Sequence, residues 1–515
     1  MYRSILMLLS LIVFIPLFAF AQAQLPKTPV REVTDDYFGT KVVDPYRWLE
    51  NTTDAEVIAW MKAQNDYTRE QLARIPGRDQ LLERIKSLDN AGAAVADLQV
   101  WGGRFFYLKT EPGSDNRKLC VRDGVSAPER VLVDPEKIVN ADGKHSSIDF
   151  FGPSPDGKYV AYGISLGGSE SSVLHIVESA SGTVLPDTVD RAEFGRPTWL
   201  PDARSFFYTR TQKLAADAPP TARYQKLRVY RHTLGGDPDN EPVVFGYDVN
   251  SSVKVSEDDF PVVAFSPAAP GFLVGLVVHG VKREFDLYTV PFDANPGSKT
   301  PWKKVADTTD NITSFDVHGE QLFLLSHMQA SRFKLLRTSL AAPDLAHATV
   351  VVPASEAVIV GISVASDALY IQDLDGGIGR LRRLSYGGSA PERVALPFEG
   401  AIQSLVTNPV EPGAWLELTS WVKSPLWYAL DSKSGKLTDT GLVPPSPVDY
   451  SQIEAEEVKA KSADGTMVPL SIVHKRGMKL DGSHPTWLEA YGAYGITIDP
   501  SFRPTLLAFF ERGGV

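Results

Sequence analysis

The chain has 515 residues, more than one ordinary domain needs, and it carries a formal net charge of −11. Hydrophobic residues make up 43% of the chain and charged residues 22%, values typical of a globular protein with a sizeable core. We therefore expect two or more domains. The negative charge argues against nucleic acid or an anionic membrane surface as the main partner, because both attract basic proteins.

The first residues have the pattern of a secretory signal. Arg3 precedes an apolar run over 5–20, and two A-x-A patterns follow it, ending at residue 23. We interpret residues 1–23 as a cleaved signal peptide. A retained membrane anchor is the alternative, although the run is short for a span. Because no later stretch is long and apolar enough to cross a bilayer, we expect an exported protein, periplasmic or extracellular, without stable membrane insertion.

Cysteine and histidine give no indication of a metal or cofactor. Cys120 is the only cysteine, which excludes an intramolecular disulfide and a cysteine-based metal site. Its alternating, strand-like surroundings favour a buried structural thiol over a reactive one. The nine histidines are scattered and form no H-E-x-x-H motif, so we expect no metal site and no cofactor.

Two helices are predicted near the N-terminus. Residues 53–56 read T-x-x-E, a capping-box pattern, and apolar residues then recur at helical spacing, which predicts a helix over 54–72. A second helix is predicted over 80–88. The pattern loosens at Asn90, where we place a domain boundary.

The stretch from 91 to 447 contains a repeat of about fifty residues. Each repeat is a turn followed by a short run of aromatic and β-branched residues. The seven repeats begin near Trp101, Ser154, Leu200, Ser266, Val317, Ser366 and Asn408. Periods of this length are typical of β-propeller blades with four strands each. We therefore predict a β-propeller with about seven blades; an array of β-sandwiches is the alternative.

A different pattern follows the proline-rich segment at 444–447. Residues 458–473 predict two strands around a Ser-Ala-Asp-Gly turn, and 485–490 predicts a further strand. A short helix is expected over 506–511. Gly513, Gly514 and Val515 are typical of the lead into another strand, so we expect the chain to be cut before that strand.

Several motifs resemble those of one family, the prolyl oligopeptidases. Residues 44–50 (DPYRWLE) resemble its N-terminal signature, residues 462–475 (SADGTMVPLSIVHK) resemble the start of its hydrolase domain, and residues 480–485 (LDGSHP) and 511–515 (ERGGV) complete the match. The resemblance implies a seven-bladed propeller and an α/β-hydrolase domain built from both chain ends. Residues 26–90 would form the N-terminal part of that domain, 91–447 the propeller and 448–515 the start of its C-terminal part.

The resemblance also implies a serine endopeptidase that hydrolyses short peptides after proline, with the propeller as a size filter. In the family the catalytic serine, aspartate and histidine lie downstream of the segment that Val515 ends, so this chain is expected to be inactive alone. A related oligopeptidase specific for basic or acylated residues stays open. A non-catalytic exported propeller that binds a partner is the other alternative. We expect a monomer acting on short peptides.

Two tyrosines are the candidate site residues, both by resemblance. Tyr491 matches the tyrosine whose hydroxyl stabilises the oxyanion, although Ala490 and Ala493 depart from the family's G-Y-G-G pattern. Tyr494 matches an aromatic residue of the substrate pocket. Ser165 lies in a G-x-S-x-G pattern, but turn and strand residues follow it, whereas a nucleophile elbow requires a helix. We therefore exclude Ser165 as a nucleophile.

Overall fold

A computed structural model describes residues 25–138, 143–293 and 295–515. The predicted signal peptide, 1–23, lies outside the described residues. The chain divides into two compact units after Arg84. None of the helices among the described residues combines the length and the apolarity needed to cross a bilayer.

The first unit begins with an antiparallel hairpin and continues into helices. Its elements are β1 (Val33–Tyr37), β2 (Thr40–Asp44) and α1 (Ala55–Ala73); α2 (Arg78–Leu88) contains the division between the units. The two predicted helices are thus confirmed. The expected cap is displaced by one residue, because the side chain of Asp54, not Thr53, accepts the hydrogen bond from the N–H of Glu56 at 2.7 Å. Thr53 instead donates its hydroxyl to the Asn51 side chain.

The second unit contains seven four-stranded antiparallel sheets. Within each sheet the strands follow chain order, as expected for propeller blades. Blade 1 consists of β3 (Ala94–Trp101), β4 (Arg104–Thr110), β5 (Arg117–Arg122) and β6 (Arg130–Val133); blade 2 of β7 (Ser146–Pro153), β8 (Tyr159–Leu166), β9 (Val173–Glu178) and β10 (Val184–Val189); blade 3 of β11 (Thr198–Trp199), β12 (Ser205–Arg210), β13 (Arg228–Thr233) and β14 (Val243–Gly246); blade 4 of β15 (Asp259–Ala264), β16 (Phe272–His279), β17 (Phe285–Pro291) and β18 (Lys303–Ala306); blade 5 of β19 (Ile312–His318), β20 (Gln321–Ser326), β21 (Lys334–Ser339) and β22 (Thr349–Val352); blade 6 of β23 (Val358–Val364), β24 (Ala368–Asp375), β25 (Ile378–Ser385) and β26 (Glu392–Val394); and blade 7 of β27 (Ala401–Val406), β28 (Ala414–Thr419), β29 (Leu426–Leu430) and β30 (Leu437–Asp439). Short 3-10 helices lie at Arg47–Glu50, Pro135–Lys137, Pro220–Tyr224, Pro238–Asn240, Thr308–Asp310 and Pro504–Leu506. The predicted seven-bladed propeller is confirmed.

The repeat seen in the sequence marks the turn between the first and second strands of each blade. In blade 2, the Asp156 side chain accepts hydrogen bonds from the Ser154 hydroxyl at 2.6 Å and from the N–H of Lys158 at 3.0 Å. Gly157 supplies the positive φ of +67° that the turn requires. The turn chemistry is local, which is why it is visible in the sequence.

The hydrophobic core lies mainly between neighbouring blades. Phe207 and Phe245 of blade 3, for example, belong to one buried cluster with Tyr288 and Trp302 in and beside blade 4. Each blade thus buries its faces against the next, as stacked repeats require.

The C-terminal segment starts with the expected hairpin, β31 (Ile453–Lys461) and β32 (Met467–Lys475). The short helix α3 (Leu507–Phe510) is also confirmed. The predicted strand over 485–490 is wrong in extent, because these residues have no regular structure. Only one short pairing exists: the N–H of Val515 donates to the carbonyl of Pro485, and the N–H of Trp487 donates to the carbonyl of Val515, both at 2.9 Å. This is the hydrogen-bond pattern of parallel strands.

Candidate active-site cavity

A cavity of about 1110 Å³ lies at one end of the propeller. Its propeller wall comes from loops that join second to third strands, or one blade to the next. The loop residues are Arg332, Glu356, Gly376 and Trp421, in or beside blades 5, 6 and 7. Because strand direction alternates within a blade, the repeat turns lie at the opposite end of the propeller. The cavity is therefore built on loops that the repeat does not include.

The opposite wall comes from Tyr450, from the β31–β32 hairpin, from residues within 480–499 and from the residues around α3. Several of its side chains are large, apolar and exposed: Trp487, Leu488, Ile496 and Ile498. Trp487 packs edge-on against Phe509, with ring centroids 6.3 Å apart. A contiguous apolar surface of this kind is typical of a binding or docking surface.

Tyr491 lines this cavity, and its side chain is 53% exposed. Its hydroxyl makes no hydrogen bond to any residue that the structure describes. The next residue, Gly492, has φ +82°, a left-handed conformation that lets the chain turn sharply beside the ring. The structure thus presents a free phenol O–H donor to the cavity.

Tyr494 is not among the residues that line the cavity. It is 62% exposed and has a positive φ of +53°, which is uncommon for a residue other than glycine. Its neighbour Gly495 lies close to Arg283, since a Cβ at Gly495 would be 2.9 Å from the Arg283 Nη1 atom. The structure therefore separates the two candidate tyrosines, and the roles assigned to them stay predictions.

A third tyrosine of the cavity wall, Tyr450, has a structural role. Its hydroxyl donates to the carbonyl of Arg503 at 2.6 Å, and its ring packs against Phe502 and Phe510. Burial raises the pKa of Tyr450 above its usual value, although the neighbouring backbone and Arg503 oppose the shift. Its O–H is thus committed to holding the 500–510 segment and is not available as a donor to a ligand.

Asp316, Asp373 and Glu417 of the propeller have raised pKa values, but none of the three lines the cavity. Burial raises the pKa of Asp316 to about 6, despite hydrogen bonds from the N–H groups of Val317 and Val364. Burial raises the pKa of Glu417 to about 7, against a weak hydrogen bond from Ser404. The places of Asp316 and Glu417 in β19 and β28 explain why nothing in the sequence singles them out.

The serine and cysteine that the sequence excluded as nucleophiles are both buried in the propeller. Ser165 lies in β8, and its hydroxyl donates to the Asp149 carboxylate at 2.9 Å. Cys120 is buried in β5, and burial raises the pKa of its thiol to about 12. Within the described ranges, no histidine has a serine hydroxyl among its hydrogen-bond partners. The arrangement of a serine with an activating histidine is therefore not found among these residues.

One group of potential metal ligands escaped the sequence analysis. Glu454, Glu456 and His474 lie together on the β31–β32 hairpin. The histidine follows the second glutamate by eighteen positions in the sequence, so no short motif contains them. Only the register of the two strands brings them into proximity.

Comparison with known proteins identifies the family. The model of the prolyl oligopeptidase N-terminal beta-propeller domain matches residues 26–440. A prolyl endopeptidase of Elizabethkingia meningoseptica is 25% identical over 95% of this chain and 67% of its own length. The chain thus spans about two thirds of that relative.

Solved structures agree with this comparison. One, from a study of two prolyl endopeptidases and their inter-domain dynamics, has a TM-score of 0.82 at 27% identity and covers 95% of this chain and 70% of that chain. Prolyl oligopeptidase B of Galerina marginata, solved with a 25mer macrocyclization substrate, has a TM-score of 0.82 at 20% identity, with coverages of 94% and 70%. The second likeness shows the fold alone. With a family model matched along most of its length, this chain belongs to the prolyl oligopeptidase family.

Proposed function

We propose that this chain is the propeller-bearing part of a serine endopeptidase that hydrolyses short peptides after proline. The observation that carries the proposal is the unpaired Tyr491 hydroxyl on a large cavity at one end of the propeller. Family membership supports peptidase chemistry, since the relative is a prolyl endopeptidase. The exposed apolar wall of the cavity suits a peptide backbone flanked by apolar side chains.

The chemical role of Tyr491 follows from its geometry. When a serine attacks a peptide carbonyl, negative charge develops on the carbonyl oxygen. A phenol O–H on the wall of a cavity, with no hydrogen bond to another described residue, can donate to that oxygen without breaking one. One such donor is worth roughly 3–4 kcal/mol in the transition state. Tyr494, outside the cavity wall, is assigned to substrate contact by resemblance alone.

The domain organisation is part of the proposal. Residues 26–90 and 448–515 would both belong to an α/β-hydrolase domain, with the propeller, 91–447, inserted between them. The parallel hydrogen bonds between Pro485, Trp487 and Val515 support this, because parallel strands are typical of α/β sheets. The serine, aspartate and histidine of the triad would be encoded beyond Val515. The 515-residue chain is therefore proposed to be inactive alone, with the propeller restricting access to short peptides.

The proposal includes the cellular location. Residues 1–23 would direct export and be removed, leaving a monomer in the periplasm or outside the cell. N-terminal sequencing of the protein recovered from the periplasmic fraction would reveal the processed end. Recovery from the cytoplasm with Met1 in place would contradict export.

The experiment compares the 515-residue chain with the product of the complete reading frame. The gene is sequenced beyond codon 515, and both proteins are assayed with a chromogenic peptide ending in proline p-nitroanilide. We expect cleavage by the complete product only. In the complete product, Tyr491→Phe should lower kcat roughly 10²–10³-fold and leave KM little changed, because the lost hydrogen bond forms mainly in the transition state.

Tyr37→Phe is the matched control, since it removes the same atom from an equally exposed tyrosine of β1 that does not line the cavity. We expect near-normal kcat for it. Cleavage by the 515-residue chain, abolished by a serine-directed inhibitor, would contradict its inactivity. Equal kcat for Tyr491→Phe and the unmodified enzyme would contradict the role of Tyr491. A stop codon directly after Val515 would favour the binding propeller instead.

A further inference from the structure

The base of the β31–β32 hairpin carries three potential cation ligands on one face. Glu454 lies directly opposite His474 in the antiparallel register, and Glu456 lies opposite Ile472. Because side chains alternate between the faces of a strand, Glu454, Glu456 and His474 share a face. Their ligand atoms all lie within 4.8 Å of one another.

The distances are close to those of a coordination sphere. The His474 Nε2 atom is 3.5 Å from the Glu456 Oε1 atom. In a tetrahedral zinc site with bonds of about 2.0–2.2 Å, ligand atoms are separated by roughly 3.3–3.5 Å. The Glu454 Oε1 atom lies 3.9 Å from His474 Nδ1, so the Glu454 carboxylate would have to shift toward Nε2 to complete the set.

His474 provides the independent indication that a ligand belongs here. It is 2% exposed, and its Nε2 atom has no hydrogen-bond partner. Its Nδ1–H donates to the carbonyl of Lys475 at 3.0 Å, and its Nε2 atom faces the Glu456 carboxylate. With Nδ1 committed to that carbonyl, Nε2 is the ring atom that can bind a cation placed between the ring and Glu456. A histidine whose other nitrogen donates to a backbone carbonyl is the usual arrangement in metal sites.

Glu454 is oriented by neighbours that leave it able to coordinate. Its Oε1 atom accepts from the N–H of Gly477 at 3.3 Å, and its Oε2 atom faces Arg476 Nη1 at 3.4 Å. Each carboxylate oxygen has two lone pairs, so Oε1 keeps one for a cation. Such outer contacts hold metal-binding carboxylates in place.

We propose that Glu454, Glu456 and His474 form a binding site for a divalent cation of the zinc class. One imidazole with two carboxylates favours Zn²⁺ over Mg²⁺ or Ca²⁺, which prefer oxygen ligands alone. The fourth position, on the exposed side beside Glu456, would hold water. The cation would link the two strands at the base of the hairpin, near where the segment leaves the propeller. The proposal departs from the expectation from the sequence that there is no metal site, and it is independent of peptide hydrolysis.

The test is zinc binding to the purified chain. The protein is treated with a chelator, exchanged into buffer and titrated with ZnCl₂ by isothermal calorimetry. We expect one saturable site per chain, and Glu456→Gln should weaken binding at least about tenfold. Glu457→Gln is the matched control, because Glu457 lies on the same strand but on the opposite face and accepts from Ser471. It should bind zinc as the unmodified chain does.

His474→Gln provides a second variant and should abolish the site. If its buried position prevents folding, Glu456→Gln still decides, since the exposed Glu456 is not needed for the core. The other eight histidines remain in every variant, so weak surface binding cancels in the comparison. No saturable zinc binding, or equal binding by the Glu456→Gln variant, would overturn the proposal and leave His474 as a partner of the carboxylates alone.

Discussion

At the scale of single residues, the most consequential group outside the cavity is His232. It is 0% exposed and lies between two acids: its Nε2 atom is 2.9 Å from Asp187 Oδ1, and its Nδ1 atom contacts the Glu241 carboxylate. Burial disfavours the charged ring, but the hydrogen bonds that the ring donates to Glu241 and Asp187 outweigh burial and raise the pKa of His232 above its usual value. The buried His232 ring of β13 in blade 3 is thus joined to Asp187 of β10 in blade 2.

Replacing His232 should lower the free energy of unfolding, because its two acidic partners stay buried. His232→Gln leaves two carboxylates without their cation, and breaking a buried pair costs roughly 3–5 kcal/mol of unfolding free energy. His347→Gln is the control, because the His347 side chain is 84% exposed beside Asp344 and should change stability by less than about 0.5 kcal/mol. Urea denaturation monitored by circular dichroism measures both.

The pH dependence of that difference has a definite sign. Because the folded-state pKa of His232 is raised, the stability that it contributes is complete below pH 6.5 and is lost as the pH rises through the folded-state value. The stability gap between the unmodified protein and His232→Gln should therefore narrow as the pH is raised above 6.5. A gap that widens over this range would contradict a charged His232.

At the scale of elements, local chemistry separates what the sequence could predict from what it could not. The repeat turns were predictable because each carries its own conformation, as Asp156 and Gly157 show. The structure of residues 485–490 was not predictable, because a strand forms only against a partner strand. Among the described residues, only Val515 pairs with this segment. The cluster around His474 was likewise hidden, because it depends on the register between two strands.

Two adjacent glycines allow a sharp test of how blades 1 and 2 meet. Gly102 and Gly103 both have positive φ, +56° and +71°. A Cβ at Gly102 would lie 2.3 Å from the carbonyl oxygen of Asp156, whereas a Cβ at Gly103 would meet nothing within 4 Å. Gly103→Ala should thus cost about 1–2 kcal/mol for the left-handed backbone alone. Gly102→Ala should cost a further 1–3 kcal/mol or so, since the turns of the two blades must separate.

Urea denaturation midpoints of the two glycine variants provide the measurement. The backbone strain is common to both, so the difference between them reports the contact between the turns. Equal midpoints for Gly102→Ala and Gly103→Ala would mean that the turn of blade 2 moves away freely, and would contradict a rigid contact.

At the scale of the whole propeller, the sequence indicated how many blades there are but not how the last meets the first. Blades 1 and 7 each take their four strands from one continuous stretch, so no strand is shared between them. Side chains close the ring instead: Trp427 of β29 is 1% exposed and lies in one cluster with Val95, Tyr107 and Cys120 of blade 1. Its Nε1–H donates to the Val95 carbonyl at 3.3 Å. Such a closure depends on contacts across more than three hundred residues, which no local pattern reveals.

The junction of blades 1 and 7 should therefore be the first to open when its packing is weakened. Every other pair of neighbouring blades is joined by a short stretch of chain. Blades 1 and 7 are not, so the contact between them alone closes the ring. The conformational entropy that the chain loses when this long loop closes opposes that contact. Trp427→Ala and Phe323→Ala, which removes an equally buried ring from blade 5, should each cost roughly 3–5 kcal/mol. Hydrogen exchange followed by mass spectrometry should show Trp427→Ala increasing exchange in β3–β6 and β27–β30 together, while Phe323→Ala affects blades 5 and 6. Exchange that rises uniformly around the ring in both variants would mean that the propeller opens as one cooperative unit, and that the junction is no weaker than the covalently connected contacts.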